Sequence, residues 1–247
     1  MIKPSKTYRK IRRNLGKALN DYPMISDGDR LLVGISGGKD SMTLLRLLVD
    51  MLSSVPINYE LFPVYIDPGF ENSFADDLKK CCKNIGLNLI VINSDFGTYA
   101  HSKKSRENPC FICSRLRRKR LFEISDQLGC DKVALGHNKD DIIETLFLNI
   151  FYSGRISTMK PLQELFDGAI KIIRPLSYVD EDLIKLFATQ SDFPIFINPC
   201  PSANKTKRED VKSLLTKLYK TNSSIKGNIF KSLSNIELDY LLINNKS

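Results

Sequence analysis

The chain of 247 residues contains no apolar run that approaches the length of a membrane-crossing helix, which needs about 20 consecutive apolar residues. It also contains no internal repeat and no low-complexity tract. These absences exclude a helical membrane protein, a repeat array and a disordered spacer. Histidine is scarce, with only His101 and His137, which argues against a histidine-built metal centre. Two common nucleotide signatures are missing as well. Only three residues separate Gly34 from the Gly38-Lys39 pair, and Asp40 follows the lysine, so the Walker A spacing is not met. No G-x-G-x-x-G occurs, so the dinucleotide fingerprint is absent. The first residues, Met1 to Lys6, lead into a polar basic segment rather than a signal-peptide core, and the expected location is the cytoplasm.

What is present is positive charge and cysteine. Lysine and arginine number 37 against 28 acids, a net charge of +9. Such a surplus fits an anionic partner, of which nucleic acid is the usual one. Six cysteines in a chain with no export signal read as metal ligands, catalytic thiols or small buried apolar groups rather than disulfides.

The hydrophobic pattern predicts an α/β fold. Ile11, Leu15, Ala18 and Leu19 form a helical stripe in a basic N-terminal segment, residues 7–22. Strands are expected at 30–35, 61–66, 87–92, 132–135 and 169–173. Helices are expected at 41–53, 73–85, 114–128, 140–152 and 181–190. Strands alternating with helices at this spacing build a parallel, Rossmann-like sheet covered on both faces. A loop over 201–209 and helices near 210–220 and 225–243 complete the chain. The expected organisation is a basic helical extension (1–27), a catalytic domain (28–200) and a C-terminal helical tail (201–247).

The strongest local signal is Ser36-Gly37-Gly38-Lys39-Asp40-Ser41, between the buried run Leu31–Ile35 and a helix. Adjacent glycines let the backbone turn sharply and approach a ligand. The helix start offers free amides and the positive end of its dipole, a ready phosphate site. Lys39 adds a charge, and Ser36 and Ser41 add hydroxyls. A second string, Gly136-His137-Asn138-Lys139-Asp140-Asp141, follows the fourth strand and opens the next helix. Ligands bind at that carboxyl edge in open α/β sheets. Acids also favour a helix start on dipole grounds alone; the functional reading is that Asp140 or Asp141 coordinates magnesium or activates the substrate. Arg174, at the end of the fifth strand, is a candidate phosphate contact.

Cys110-Phe111-Ile112-Cys113 is a C-x-x-C, compatible with zinc, an iron–sulfur cluster or a redox dithiol. Cys200, in Asn198-Pro199-Cys200-Pro201, is the one further cysteine in a loop-like setting. Cys81, Cys82 and Cys130 read as packing residues. Structural zinc wants four ligands, whereas three thiolates suit a 4Fe-4S cluster with one iron left open. Arg115, Arg117, Arg118, Lys119 and Arg120 follow the C-x-x-C. Four consecutive basic residues span most of a helical turn and cannot all face one way. Together with the N-terminal helix and Lys205, Lys207 and Arg208, they favour contact with an RNA backbone.

The SGGxDS string matches the signature of the PP-loop ATP pyrophosphatases, and the GHNxDD string matches its companion in the thiolating members. Over nearly the whole chain the sequence resembles the tRNA 2-thiocytidine synthetases. The resemblance runs through Arg12-Arg13-Asn14-Leu15-Gly16, Met24 to Asp29, Cys113-Ser114-Arg115-Leu116-Arg117-Arg118, Thr145 to Tyr152 and Gly227 to Leu233. It implies cleavage of ATP between the α and β phosphates, with magnesium, to adenylate a tRNA base. Lys39, Asp40, Asp140 and Asp141 are then the catalytic candidates. Ser36 to Ser41, Gly136, His137 and Arg174 bind the nucleotide. The resemblance further implies that Cys200 joins Cys110 and Cys113 around a 4Fe-4S cluster, that cytidine 32 is the target and that the protein is a homodimer; the sulfur donor is not named by the sequence, a cysteine desulfurase product being one candidate. Many members of that family carry a second C-x-x-C where this chain keeps only Cys200, within Cys200-Pro201-Ser202-Ala203. Thiolation of another base, a sulfur-free ligase of the same superfamily and a zinc-stabilised tRNA-binding protein are the competing readings. The C-x-x-C argues against the ligase.

Overall fold

Leu31, Leu32, Val33 and Ile35 of strand β1 (Asp29–Ile35) are all at most 2% exposed. A continuous apolar run of this kind belongs to a parallel strand covered on both sides. The side chains still alternate. Leu31, Val33 and Ile35 join one core cluster and Leu32 the other, as the two-residue period of a strand requires.

The computed structural model describes residues 5–103, 105–191, 193–194, 196, 199–202 and 206–242. Besides β1, the strands are β2 (Tyr59–Asp67), β3 (Ile90–Asn93), β4 (Lys132–Ala134), β5 (Leu162–Leu165) and β6 (Ile170–Ile173). They form one sheet in the order β3-β2-β1-β4-β6-β5. All neighbours are parallel except β5, which runs antiparallel to β6. The order reverses between β1 and β4, and a crevice opens at such a switch point beyond the carboxyl ends of the strands. Both glycine-containing strings leave the sheet there.

Helix α1 (Lys6–Asp21) begins at an N-cap, Ser5, whose hydroxyl accepts from Tyr8 N–H. It buries the expected stripe, Ile11, Leu15 and Ala18, each at 0% exposure, while Leu19 packs partly buried beside them. That stripe joins the core on one face with α2 (Lys39–Leu52), α3 (Ala75–Asn84) and α7 (Glu181–Gln190). The short α4 (Phe96–Ala100) and the long α5 (Pro109–Gln127) supply Phe96, Leu121 and Ile124 to the other face. Cys82 and Cys130 are buried and Cys81 is half-buried, in keeping with packing roles.

Four elements depart from the sequence expectation. Helix α5 starts at Pro109 rather than 114, because Asn108 caps it by accepting from the N–H groups of Cys110 and Phe111 and Pro109 suits a first helical position. The C-x-x-C therefore lies on the first turns of a helix and not in a loop. The hairpin strand β5 was not expected; its alternation covers only four residues, Leu162–Leu165, too few for a periodic signal. Helix α4 is shorter than two turns and equally invisible. The helix expected over 225–243 stops as α9 (Ile225–Ser232), with a separate 3-10 turn at Leu238–Tyr240. Ser234 and Asn235, whose side chains compete for backbone hydrogen bonds, sit at the break. Lys205 and the end of that expected helix at 243 lie outside the described residues.

The chain divides into two compact units. The first is Met1–Asp140 with Met159–Asn204, and it contains the sheet. The second is Asp141–Thr158 with Lys205–Ser247. It joins the rest of α6 (Lys139–Ser153) to α8 (Lys207–Thr221) and α9 around Ile143, Val211 and Leu215.

At the amino edge of the sheet, opposite the switch-point crevice, Lys132 Nζ meets Asp29 Oδ2 at 2.5 Å, with side chains 7% and 12% exposed. Removing one partner of a buried pair leaves a charge uncompensated. We expect Lys132→Ala to lower unfolding free energy by about 3 kcal/mol in denaturant titration, without altering nucleotide affinity at the opposite edge.

Candidate functional site

The turn after β1 is built from its own hydroxyls. Ser41 Oγ donates to Gly38 O at 3.0 Å and accepts from Ser36 N–H at 3.1 Å, and the two serine hydroxyls lie 3.2 Å apart. Gly37 holds φ +77°, the left-handed region where glycine is at home. A β-carbon there would lie 2.6 Å from the Phe74 ring. Gly38 is the N-cap of α2 and provides no side-chain cap. The first amides of α2 are thus left for an anion rather than for a side chain.

Gly136 locks the second string against the first. A β-carbon at Gly136 would come within 2.9 Å of both Asp40 C and Ser41 N, all backbone. From that contact a polar network spreads. Asn138, 3% exposed, donates from Nδ2 to Asp40 Oδ1 at 2.9 Å and accepts from Asp140 N–H at 2.9 Å. Asp140 Oδ2 accepts from Glu181 N–H at 2.8 Å. Lys39 Nζ lies 3.0 Å from Asp40 Oδ2 and 3.0 Å from Glu181 Oε1. Burial works against the Lys39 charge, but Asp40 and Glu181 outweigh it and hold its pKa above the ordinary lysine value. Lys39 is therefore charged throughout the neutral range, and on the alkaline side its ion pairs are lost as pH rises through that raised pKa. Asp141 falls in the second unit, where Arg208 Nη1 stands 3.5 Å from its Oδ1. His137 is half-buried in the turn between β4 and α6.

Arg174, just past β6, is 5% exposed. Its Nη1 donates to Lys160 O at 2.5 Å and its Nη2 to Gln163 Oε1 at 3.4 Å. Its Nε is buried with no hydrogen-bond partner, and no carboxylate pairs with it among the described residues. Burial, and then the nearby Arg118, bring its pKa down to about 10. A buried guanidinium without an acid is costly. At the carboxyl edge of the sheet, that cost is what a bound phosphate would offset.

The three singled-out cysteines come together. Burial first, and then the neighbouring Cys200, raise the Cys110 pKa, while a hydrogen bond with Ser202 lowers it. Cys113 is likewise raised by burial, lowered by Arg117 and raised by Cys200 and Cys110. Each of the three thiols thus lies within electrostatic reach of the other two. No group of three His, Cys, Asp or Glu among the described residues closes tightly enough for a single metal ion. His101, unassigned from sequence, stands beside them with Nε2 at 3.9 Å from Cys200 Sγ.

Contacts connect the thiols with the phosphate turn. Phe74, against Gly37, stacks on Phe196 with ring centroids 4.9 Å apart, four residues before Cys200. Arg117 acts electrostatically on both Cys113 and Tyr65 at the end of β2. The basic run divides accordingly. Arg115, Lys119 and Arg120 face Glu107 and Glu123, whereas Arg117 and Arg118 make no ion pair among the described residues, Arg117 acting electrostatically on Cys113 and Arg118 on Arg174. Glu181 and the 7%-exposed Asp67, which accepts from Gly69 N–H and the Ser73 hydroxyl, were also missed. Glu181 reads in sequence as an ordinary acid in the first turn of a helix, and Asp67 as a strand end.

The chain matches the PP-loop domain family over residues 7–218. It is 37% identical to the tRNA-cytidine(32) 2-sulfurtransferase of Geobacter sulfurreducens, over 95% of this chain and 93% of that protein. It is 35% identical to the protein of the same name from Syntrophotalea carbinolica, over 98% and 94%. The U34-tRNA thiolase NcsA from Methanococcus maripaludis, solved with its 4Fe-4S cluster, superposes with a TM-score of 0.80 at 25% identity, covering 97% of this chain and 81% of that one. An NH3-dependent NAD synthetase from Campylobacter jejuni shares the fold at a TM-score of 0.51 and 17% identity.

Gly136→Ala should weaken ATP binding at least tenfold, about 1.4 kcal/mol, because the added methyl displaces the backbone of Asp40 and Ser41. Calorimetric titration with ATP checks this, with circular dichroism expected to stay native.

Proposed function

The chain belongs to the PP-loop family and, within it, to the tRNA-cytidine(32) 2-sulfurtransferases, and on that premise we propose that it replaces the C2 oxygen of cytidine 32 in tRNA with sulfur at the expense of ATP. The observation that carries this reading is the pairing, within one unit, of an anion-binding turn with a convergent trio of thiols.

The chemistry follows from what each group can do. The carbonyl oxygen of a base is a poor leaving group. Its attack on the α-phosphorus forms an O–P bond and breaks the Pα–O–Pβ bond, releasing pyrophosphate. Ser36, Gly37, Gly38 and Ser41 hold the phosphates through amides and hydroxyls, and Lys39 moves from Asp40 and Glu181 to the incoming negative charge. Asp40 and Asp140, within one unit, would be the acids for magnesium, which when bound would neutralise charge on the phosphates. Arg174 receives a phosphate oxygen on its unpartnered Nε, while Gly136 and His137 shape the wall facing the turn. Sulfur at the sulfide level then displaces AMP from C2, with no net change in oxidation state.

Cys110, Cys113 and Cys200 fit a 4Fe-4S cluster better than zinc. They are three rather than four thiols, and a multi-iron cube keeps its ligands further apart than a single ion does. Bound there, the cluster supplies an iron open to sulfide. Arg117 and Arg118, on the helix that carries Cys110 and Cys113, are placed to meet the RNA backbone. A cytoplasmic homodimer that takes sulfur from a desulfurase-type donor completes the reading.

Nucleoside mass analysis of tRNA from cells lacking the gene should show loss of 2-thiocytidine; unchanged 2-thiocytidine sinks the assignment. Lys39→Ala and Asp40→Ala should each cut AMP formation by at least a hundredfold, about 2.7 kcal/mol of barrier. Cys200→Ala should lose cluster absorbance and thiolation while ATP still binds. Full activity in that variant would remove Cys200 from the ligand set.

A further inference from the structure

Glu181 reaches the phosphate turn from a distant part of the chain. It opens α7 just after the N-cap Asp180 and is 8% exposed. Its backbone N–H donates to Asp140 Oδ2 at 2.8 Å, which ties it to the second glycine-containing string. Its two carboxylate oxygens are held by different lysines. Oε1 stands 3.0 Å from Lys39 Nζ, and Oε2 stands 3.0 Å from Lys185 Nζ.

The two lysines are not equivalent partners. Lys185 is half-exposed and also meets Asp182 at 3.3 Å, and an exposed pair of that kind contributes little. Lys39 is the inner partner, and a carboxylate as buried as Glu181 is costly to leave without its cation. An ammonium has three donors but a single positive charge. A phosphate arriving in the turn must therefore share Lys39 with the acids already on it. Asp40 has another partner in Asn138 Nδ2, 2.9 Å from its Oδ1. Glu181 has only the outer lysine to fall back on among its printed ion pairs, and its charge stays beside the incoming phosphate, where low polarity strengthens repulsion. It competes with the phosphate for Lys39 before the reaction and again after it. Once the Pα–O–Pβ bond is broken, pyrophosphate is no longer tethered to the nucleotide, and this competition acts on it alone.

We propose that Glu181 is a positioning residue that serves as the resident counter-anion of Lys39: it aims the lysine at the turn before ATP binds, weakens the grip on phosphate, and takes the lysine back as pyrophosphate leaves. No covalent bond changes and no proton moves; Lys39 exchanges one anionic partner for another. The proposal rests on the ATP reading of the turn and adds to it a device for product release.

The test is calorimetric titration of the full chain with inorganic pyrophosphate in the presence of magnesium. Glu181→Gln keeps the shape and the backbone N–H, removes the charge, and leaves Lys39 on Asp40 and Lys185 on Asp182. The dissociation constant for pyrophosphate is expected to fall by about tenfold or more, because a buried competitor is gone. A merely structural role predicts the opposite sign, since a loosened turn binds more weakly. Asp182→Asn removes an equal charge from the same helical turn at a side chain that is 85% exposed. It should change the constant by less than about twofold, because solvent and salt screen that charge. Unchanged or weaker binding in Glu181→Gln overturns the proposal, and so does equal tightening in Asp182→Asn; in both cases AMP formation and thiolation by the wild type leave the function standing. A wild-type chain that binds no pyrophosphate overturns the proposal and the ATP reading of the turn together. Should circular dichroism show Glu181→Gln unfolded, Glu181→Asp takes its place, with the carboxylate drawn back from Lys39 by one methylene. Tightening by about threefold is then expected, and its absence overturns the proposal.

Discussion

Between the end of β4 and the start of α2 there is no room for a β-carbon. Gly136 therefore lets two strand-to-helix junctions press backbone against backbone, within 2.9 Å of where a side chain would begin. Asn138 can then reach Asp40, Asp140 can reach the start of α7, and Glu181 can reach Lys39. A parallel sheet makes this meeting possible, because every parallel strand ends on the same edge and the strand order reverses between β1 and β4.

The charges around that edge are arranged for an anion. Lys39 rests against two carboxylates, which keep it protonated and oriented. Arg174 has no carboxylate at all among the described residues, and its Nε faces no acceptor. A protein tolerates such a site where another molecule completes it. The thiols are a second incomplete group, near one another yet not closed on a single ion. Arg117, and the stack of Phe74 on Phe196, place both groups in one continuous neighbourhood. Adenylation and sulfur delivery need this proximity, since the activated base must meet sulfur before water.

The parts legible in the sequence were those written in consecutive residues. Ser36 to Ser41 and Gly136 to Asp141 announce themselves because turn geometry, helix start and charge are all local. The stripe of α1 and the apolar run of β1 are legible for the same reason, being periodic over enough residues. The start of α5 was misplaced because Asn108 and Pro109 look like loop residues until the capping bond is seen. Strand β5 and helix α4 were too short to show a period. Glu181, Asp67, Ser202 and His101 carry no local signature, and each takes its meaning from a partner brought near only by folding.

By itself the sequence determined the α/β class and the strand-to-helix turn at Ser36 to Ser41, and it singled out three cysteines, because backbone propensity, glycine conformation and cysteine spacing depend on neighbours along the chain. Only the tertiary structure decided which acid holds Lys39, that Arg174 is buried without a counterion, that the basic run of α5 divides between solvent and site, and that a histidine faces the cysteines. Those outcomes depend on burial and on distances between segments far apart in the chain. They are set when the sheet closes and not before.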